Sequence, residues 1–248
     1  MAKLALLIRG TALLLCLLVF QAASTSDGQA SVSRACIGSE RDALLSFKAS
    51  LVDCYQWKGV QCSNRTGHVI KLNLCNIDMD TYGYHPNMRI SLSLSAGEMS
   101  SSLATLQHLR YLDLSYNDFN GTRIPVFMGS LGNLRYLNLS WAFFGGTIPS
   151  QLGNLSKLQY LDVSGYYNGL QAVDLAWLPR LSLLRHLDMS RVDLYSAWDW
   201  FQRVNMLPSL KVLRMSDCVP NGTMSALTSL SNLTHLEVLD MSDNTFQT

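Results

Sequence analysis

A nine-residue pattern recurs through most of this chain at nearly constant spacing. Its clearest copies are LRYLDLSYN (109–117), LRYLNLSWA (134–142), LQYLDVSGY (158–166), LRHLDMSRV (184–192), LKVLRMSDC (210–218) and LEVLDMSDN (236–244). Their central leucines, from Leu112 to Leu239, lie 24 to 26 residues apart, and an earlier copy centres on Leu72. A period of this length means that each repeat is one small structural unit that stacks on its neighbours.

Within each copy, leucine alternates with polar or aromatic residues, which predicts a short strand with its leucines turned inward. One repeat cannot bury these leucines alone, so the core forms only when neighbours stack. The predicted fold class is therefore α/β: a leucine-rich-repeat solenoid with a parallel β-sheet on the concave face and an irregular, 3-10 or helical convex face. We expect about seven or eight repeats over residues 68–248, with an irregular insertion near 78–102 and an incomplete last repeat.

The ninth position of the pattern normally carries Asn or Cys, whose side chain bonds backbone groups that the turn leaves unpaired. Asn117, Cys218 and Asn244 fit this rule. The copies that end at 142, 166 and 192 do not, so we expect a less regular solenoid around 140–200. Gly-x-Ile-Pro elements follow the first two copies and predict extended convex segments, whereas residues 194–210 are predicted to hold a short convex helix.

The N-terminus has the layout of a secretory signal peptide, predicted over residues 1–23. A positively charged start precedes an apolar stretch, TALLLCLLVF, and small residues follow it. No later segment is long and apolar enough for a membrane span, so we expect a secreted chain in an oxidising compartment. Six N-x-[ST] sequons agree with secretion. We predict glycans at Asn64, Asn120, Asn154, Asn221 and Asn232, with Asn138 the poorest acceptor.

Composition and motifs exclude several function classes. The net charge is +1 and only 15% of residues are charged, so no electrostatic footprint for nucleic acid is present. The five histidines are scattered without metal-ligand spacing, and no nucleophile motif or phosphate loop occurs. We therefore predict a protein that is not an enzyme and has no cofactor or metal.

Residues 36–66 are predicted to cap the apolar end of the first repeat. Ser39 stands where a helix N-cap is expected, with an acidic residue three positions later. Leu44, Phe47 and Leu51 then fall on one helical face. Two patterns frame this segment: C-x-x-x-E-R-x-A-L-L-x-F-K from Cys36, and C-x-x-W-x-G-V-x-C, which ends at Cys62.

Together with the Gly-x-Ile-Pro repeats, these patterns resemble the N-terminal part of the ectodomain of plant leucine-rich-repeat receptor-like proteins. The segments ERDALLSFKASL and NRTGHVIKLNL are most similar to the kinase-less members associated with disease resistance. Full members continue through further repeats, a membrane helix and a short tail, so we expect this chain, which stops at DNTFQT, to be a truncated form.

The resemblance also implies a disulfide pattern. Members of the family usually have two adjacent cysteines before x-W, the first of which pairs with the first cysteine of the cap. Here Tyr55 stands where the second adjacent cysteine belongs. Carried over, Cys36 pairs with Cys54, and Cys62 loses its partner.

The outward positions of the strands are the predicted ligand-binding surface, because solenoids recognise ligands on their concave sheet. These candidates are Tyr111, Asp113, Tyr116, Tyr136, Asn138, Trp141, Tyr160, Asp162, His186, Asp188 and Arg214. Aromatic side chains flanked by polar groups suit an extracellular protein, peptide or glycan. The leading hypothesis is a recognition module for defence or developmental signalling that acts with a partner co-receptor kinase. A secreted inhibitor of a cell-wall hydrolase, resembling polygalacturonase inhibitors, and a truncated non-functional paralogue are the alternatives.

Overall fold

A computed structural model of the chain describes residues 36–49, 59–75, 99–166, 169–218 and 232–244. All of them belong to one compact unit, Ala35–Thr248. The predicted signal peptide, most of the predicted insertion near 78–102, Cys54 and Asn221 lie outside the described residues. None of the helices in the described part reaches the length and apolar character that a membrane crossing requires.

The predicted solenoid is confirmed: eight strands of the described residues form one sheet. In their order across the sheet, these strands are β1 (Val60–Cys62), β2 (Val69–Asn73), β3 (Tyr111–Asp113), β4 (Tyr136–Asn138), β6 (Tyr160–Asp162), β8 (His186–Asp188), β9 (Val212–Arg214) and β10 (Val238–Asp240). All neighbours in this sheet are parallel except β1 and β2, which are antiparallel. A second sheet pairs β5 (Gly146–Thr147) with β7 (Leu170–Gln171).

The central leucines of the repeats pair with one another from strand to strand. Leu72, Leu112, Leu137, Leu161, Leu187, Leu213 and Leu239 occupy equivalent positions in the ladder. From Leu72 to Leu213 each is at most 1% exposed, whereas Leu239 in β10 is 45% exposed. Repeat-on-repeat stacking is thus what buries the leucine core.

Asparagine side chains close the turns as the repeat pattern predicts. Asn117 Nδ2 donates to the carbonyls of Leu74 and Leu114, each at 2.8 Å. Asn244 does the same for Met215 and Met241, at 2.7 and 2.9 Å. The repeats that lack Asn nevertheless keep their strands β4, β6 and β8 in unshifted register, so the expected irregularity around 140–200 is wrong for the sheet. The strands therefore keep their register without an Asn at the turn.

The convex side consists mainly of 3-10 turns. They span Ser101–Thr105, Val126–Ser130, Ser150–Asn154 and Leu178–Arg180. Pro125 and Pro149, from the two Ile-Pro elements, have extended backbones directly before their turns. Gly129 fits tightly against the next repeat, because a Cβ there would lie 2.2 Å from the Gln151 carbonyl oxygen. The convex helix predicted within 194–210 is present but short, α2 (Trp200–Val204).

The N-terminal segment forms helix α1 (Gly38–Ala49) and the β1–β2 hairpin. Its disulfide joins Cys36 to Cys62, so the predicted Cys36–Cys54 pairing is wrong. The reason is the hairpin. Strand β1 folds back antiparallel on β2, and the Ile37 N–H donates to the Gly67 carbonyl at 3.0 Å. These contacts bring Cys62 beside the start of α1, with the two Cα atoms 5.6 Å apart.

Candidate ligand-binding face

Four aromatic rings stack in one continuous column along the sheet, as the strand register predicts. The ring centroids of Tyr111 and Tyr136 lie 4.1 Å apart, those of Tyr136 and Tyr160 4.3 Å, and those of Tyr160 and His186 4.2 Å. All three ring pairs are within 14° of parallel. The Lys71 ammonium extends the column, 4.5 Å from the centre of the Tyr111 ring. We call these four rings the aromatic column.

Because the rings cover one another's faces, the inner members present mainly their edges and hydroxyl groups. The Tyr111 hydroxyl donates to Asp113 at 3.1 Å, which directs it toward the neighbouring polar residues. Burial raises the pKa of the Tyr111 and Tyr160 phenols, with nearby aspartates adding to the effect. The column is therefore a rigid, uncharged strip that offers hydrogen bonds at its edge, and it leaves little room for a ligand ring between its members.

The His186 end of the column holds a polar atom that lacks a hydrogen-bond partner in the described residues. Burial lowers the pKa of the His186 imidazole, although Asp188 opposes this shift. The His186 Nε2 atom is buried and has no hydrogen-bond partner within the described part of the chain. A buried nitrogen without a partner costs free energy.

The aspartates predicted to contact the ligand are largely buried and already hydrogen-bonded within the chain. Asp113, Asp162 and Asp188 are 5%, 9% and 7% exposed. Each accepts a hydrogen bond from the backbone N–H of the serine two residues later, at 3.0, 2.9 and 2.9 Å. These aspartates therefore mainly bind the backbone N–H groups at the ends of their strands. Because their side chains are buried, they offer a ligand much less surface than their sequence positions suggest.

Burial raises the pKa of Asp162 to about 6, and the negative charge of Asp188 adds to the shift. Hydrogen bonds from Ser164 oppose it. Arg214 in β9 lies 4.0 Å from the Asp188 carboxylate and has an exposed side chain. Asn138 replaces the aspartate in β4 and makes the same contacts with Ser140, at 3.0 and 2.7 Å.

A second group of aromatic residues lies at the exit of the strands and is more accessible. Trp141 is nearly parallel to Tyr116 at 6.4 Å and meets Tyr166 edge-on at 4.8 Å. Phe143 stacks on Tyr166 at 3.9 Å, and the Arg191 guanidinium lies 5.1 Å from the centre of the Trp141 ring. Tyr116, Phe143 and Tyr166 are each 37% or 38% exposed. We call these five residues the exit cluster.

Sequence reasoning found only Tyr116 and Trp141 of the exit cluster. Tyr166 stands where the repeat expects a buried Asn, and this departure is the signal that could have revealed its outward role. A cavity of about 390 Å³ adjoins the cluster and is lined by Phe143, Tyr166 and Arg191 among others. Its size is in the range of sites that hold small ligands or single side chains.

Tyr116, Trp141, Phe143 and Arg191 have positive φ angles between 51° and 65°. This backbone conformation is unfavourable for bulky side chains and is usually occupied by Gly or Asn. Aromatic and basic residues therefore hold positions where the backbone alone would favour a smaller residue.

The predicted glycosylation sites differ in accessibility. Asn64, Asn120, Asn154 and Asn232 are exposed. Asn138 is half-buried with its Oδ1 bonded to Ser140, and its Nδ2 lies 3.4 Å from the Tyr136 hydroxyl. These contacts agree with its predicted rank as the poorest acceptor, which stays a prediction.

Residues 90–247 match the leucine-rich repeat region family. The chain belongs to the leucine-rich-repeat family. Among curated relatives, Receptor-like protein EIX1 of Solanum lycopersicum is 39% identical over 240 residues, which cover 90% of this chain and 23% of the relative. Receptor-like protein EIX2 of the same species is 37% identical over 86% of this chain and 22% of the relative. The resemblance to plant receptor-like proteins is confirmed, and this leucine-rich-repeat chain spans less than a quarter of the length of these two relatives.

Solved structures agree on the fold. The leucine-rich-repeat ectodomain of the receptor kinase SOBIR1 from Arabidopsis thaliana has a TM-score of 0.53 and 23% identity, covering 86% of this chain and 96% of that one. The Arabidopsis receptor kinase HAESA, solved with the peptide hormone IDA and the co-receptor SERK1, has a TM-score of 0.64 and 23% identity over 84% of this chain and 34% of that one. A complex of PEPR1 with AtPEP1 has a TM-score of 0.62 and 22% identity, over 85% and 32% of the two chains.

Proposed function

We propose that this chain is the extracellular ligand-recognition part of a plant receptor-like protein. The observation that carries the proposal is the exit cluster beside the aromatic column. Together they form a row of rigid aromatic side chains across neighbouring strands, several of them in backbone conformations that disfavour large residues. Aromatic and arginine side chains dominate the binding energy of protein interfaces.

The proposed ligand is an extracellular peptide or protein segment, with a glycan as the second candidate. The edge of the aromatic column offers hydroxyl groups, and in this proposal one ligand side chain enters the cavity beside Tyr166. The receptor kinase HAESA, which has a related fold, was solved with the peptide hormone IDA, and this supports a peptide ligand here. We propose further that the chain acts outside the plasma membrane in defence or development and signals through a partner kinase.

Matched tryptophan variants test the proposal. Trp141 lies in the exit cluster, whereas Trp198 lies on the convex side and is 74% exposed. The wild-type chain, W141A and W198A are titrated against arrays of synthetic extracellular peptides and cell-wall oligosaccharides. For a peptide that binds the wild type, W141A is expected to lose about 30-fold in affinity, the scale of a hot-spot residue. W198A is expected to bind as the wild type does.

Equal losses in both variants would contradict the assignment of the exit cluster. Binding of oligosaccharides alone would move the ligand to the glycan class. Direct inhibition of a polygalacturonase by the wild-type chain, retained in W141A, would instead favour the hydrolase-inhibitor alternative.

A further inference from the structure

Three ionisable side chains from separate parts of the chain meet where α1 packs on the first strands. Glu40 belongs to the first turn of α1, His68 directly precedes β2, and His108 stands three residues before β3. In the sequence they are 28 and 40 residues apart, so no metal-binding spacing is visible. Only the fold brings them together. The histidines look scattered in the sequence, but His68 and His108 are neighbours in the structure.

Both imidazoles face the same carboxylate oxygen. His68 Nδ1 lies 2.9 Å from Glu40 Oε1, and His108 Nδ1 lies 3.9 Å from it. One potential ligand atom from each of the three residues lies within 4.8 Å of the other two. Ligand atoms about 2.0–2.2 Å from a tetrahedral zinc ion are about 3.3 Å from one another. The two measured separations bracket that value.

The carboxylate is held in place by the backbone. Glu40 is only 5% exposed, and its other oxygen, Oε2, accepts the Val69 N–H at 2.6 Å. This bond fixes the orientation of the carboxylate and leaves Oε1 directed at the imidazoles. Metal ligands in proteins are commonly oriented by such a second hydrogen bond. A bound cation would also compensate the buried negative charge.

The two rings are stacked, with centroids 3.5 Å apart and planes 14° from parallel. A metal ion lies in the plane of each imidazole that binds it, so the rings must incline toward each other to share one ion. The His108 side chain is 52% exposed, so the ring has room to incline away from its stacked position. Its exposed side also gives the ion a way in.

We propose that Glu40, His68 and His108 form a zinc site that ties the N-terminal helix to the first repeats. Glu40 Oε1 and the Nδ1 atoms of both histidines are the ligands, and a water molecule takes the fourth position. Two imidazoles and a carboxylate suit zinc better than calcium or magnesium, which prefer oxygen ligands throughout. Zinc binds the Nδ1 lone pair, so a proton on His68 Nδ1 must leave that atom: an imidazolium releases one proton to solvent, whereas a neutral ring keeps its single proton on Nε2.

The chain provides its own control. His235 occupies the same position of its repeat as His108, but it is exposed and bonds to Thr234 at 3.1 Å. The chain, purified without a histidine tag, is titrated with zinc chloride by calorimetry in two buffers of different ionisation enthalpy. Cobalt(II) replaces zinc for visible spectroscopy. We expect one ion per chain, an observed heat of binding that differs between the buffers because binding displaces protons, and a tetrahedral cobalt spectrum.

H108Q is expected to weaken zinc binding at least about tenfold and to abolish the cobalt spectrum, whereas H235Q is expected to leave both unchanged. Circular dichroism verifies that each variant is folded. If H108Q is unfolded, E40Q is used instead, and zinc must then raise the thermal midpoint of the wild type but not that of E40Q. Equal affinity in wild type and H108Q, or no binding at millimolar zinc, would overturn the proposal.

Discussion

Asp162 allows a quantitative test of the energetics of the concave face. Its folded-state pKa of about 6 exceeds the ordinary value of 3.8, chiefly because of burial and then because of the charge on Asp188. The folded chain therefore binds a proton more tightly than the unfolded chain between these values, and stability falls as pH rises through this window. A difference of about two pKa units corresponds to about 3 kcal/mol, fully lost above pH 7.

The variant D162N removes the charge and keeps the hydrogen bonds. Asn138, one repeat earlier, shows how: its Oδ1 accepts Ser140 N–H and Oγ–H at 3.0 and 2.7 Å. Asp162 Oδ1 accepts the corresponding groups of Ser164 at 2.9 and 2.7 Å. We therefore expect D162N to be more stable than the wild type by up to about 3 kcal/mol at pH 7.5, and equal to it near pH 4.

Urea unfolding followed by tryptophan fluorescence at pH 4, 5, 6 and 7.5 measures this difference. Asp240 is the matched control, because it makes the same bonds to Ser242 at the end of the sheet, and these bonds lower its pKa. D240N is therefore expected to lose stability at pH 7.5, opposite in sign to D162N. A D162N difference that is constant across pH, or a destabilised D162N at pH 7.5, would refute the reasoning.

Two further predictions concern the cap and the turns. The double variant C36A/C62A removes a crosslink over a sequence separation of 26 and is expected to lower the free energy of unfolding by about 3 kcal/mol, measured with urea. Reductant should destabilise the wild type but not this variant, and the opposite result would place the disulfide elsewhere. N117A leaves the Leu74 and Leu114 carbonyls without their amide donor and is expected to cost about 2 kcal/mol. Because Ala142 occupies this position in the next repeat, the sheet should persist, and a cost below about 0.5 kcal/mol would contradict the role of the side chain.

The sequence predicted the parallel sheet and its columns because the leucine period determines both the strand and its register. Leu137 pairs with Leu161, and the rings of Tyr136 and Tyr160 must then stack. The cysteine pairing was not predictable in the same way. It depends on the β1–β2 hairpin, because strand β1 lies outside the repeats and no period determines its register on β2.

The candidate site was predicted in part. The repeat pattern predicts the outward aspartates as ligand contacts, but whether a carboxylate faces a ligand or its own chain depends on the serine two residues later. Ser115 shows the effect, since its N–H and hydroxyl both bond to Asp113. The contact of Glu40 with two histidines was also not predictable from the sequence, because it arises from packing between helix α1 and the repeats.

The unshifted pairing of neighbouring strands has a consequence for how such chains diversify. Each of the strands β3, β4, β6 and β8 adds one residue to the aromatic column and one to the polar positions beside it, while its leucine occupies the same core position in every repeat. A unit of 24 to 26 residues is therefore interchangeable with its neighbours as far as the core is concerned. Unequal recombination between repeats would insert or delete a whole unit, lengthening or shortening the recognition surface by one strand without creating a new folding problem.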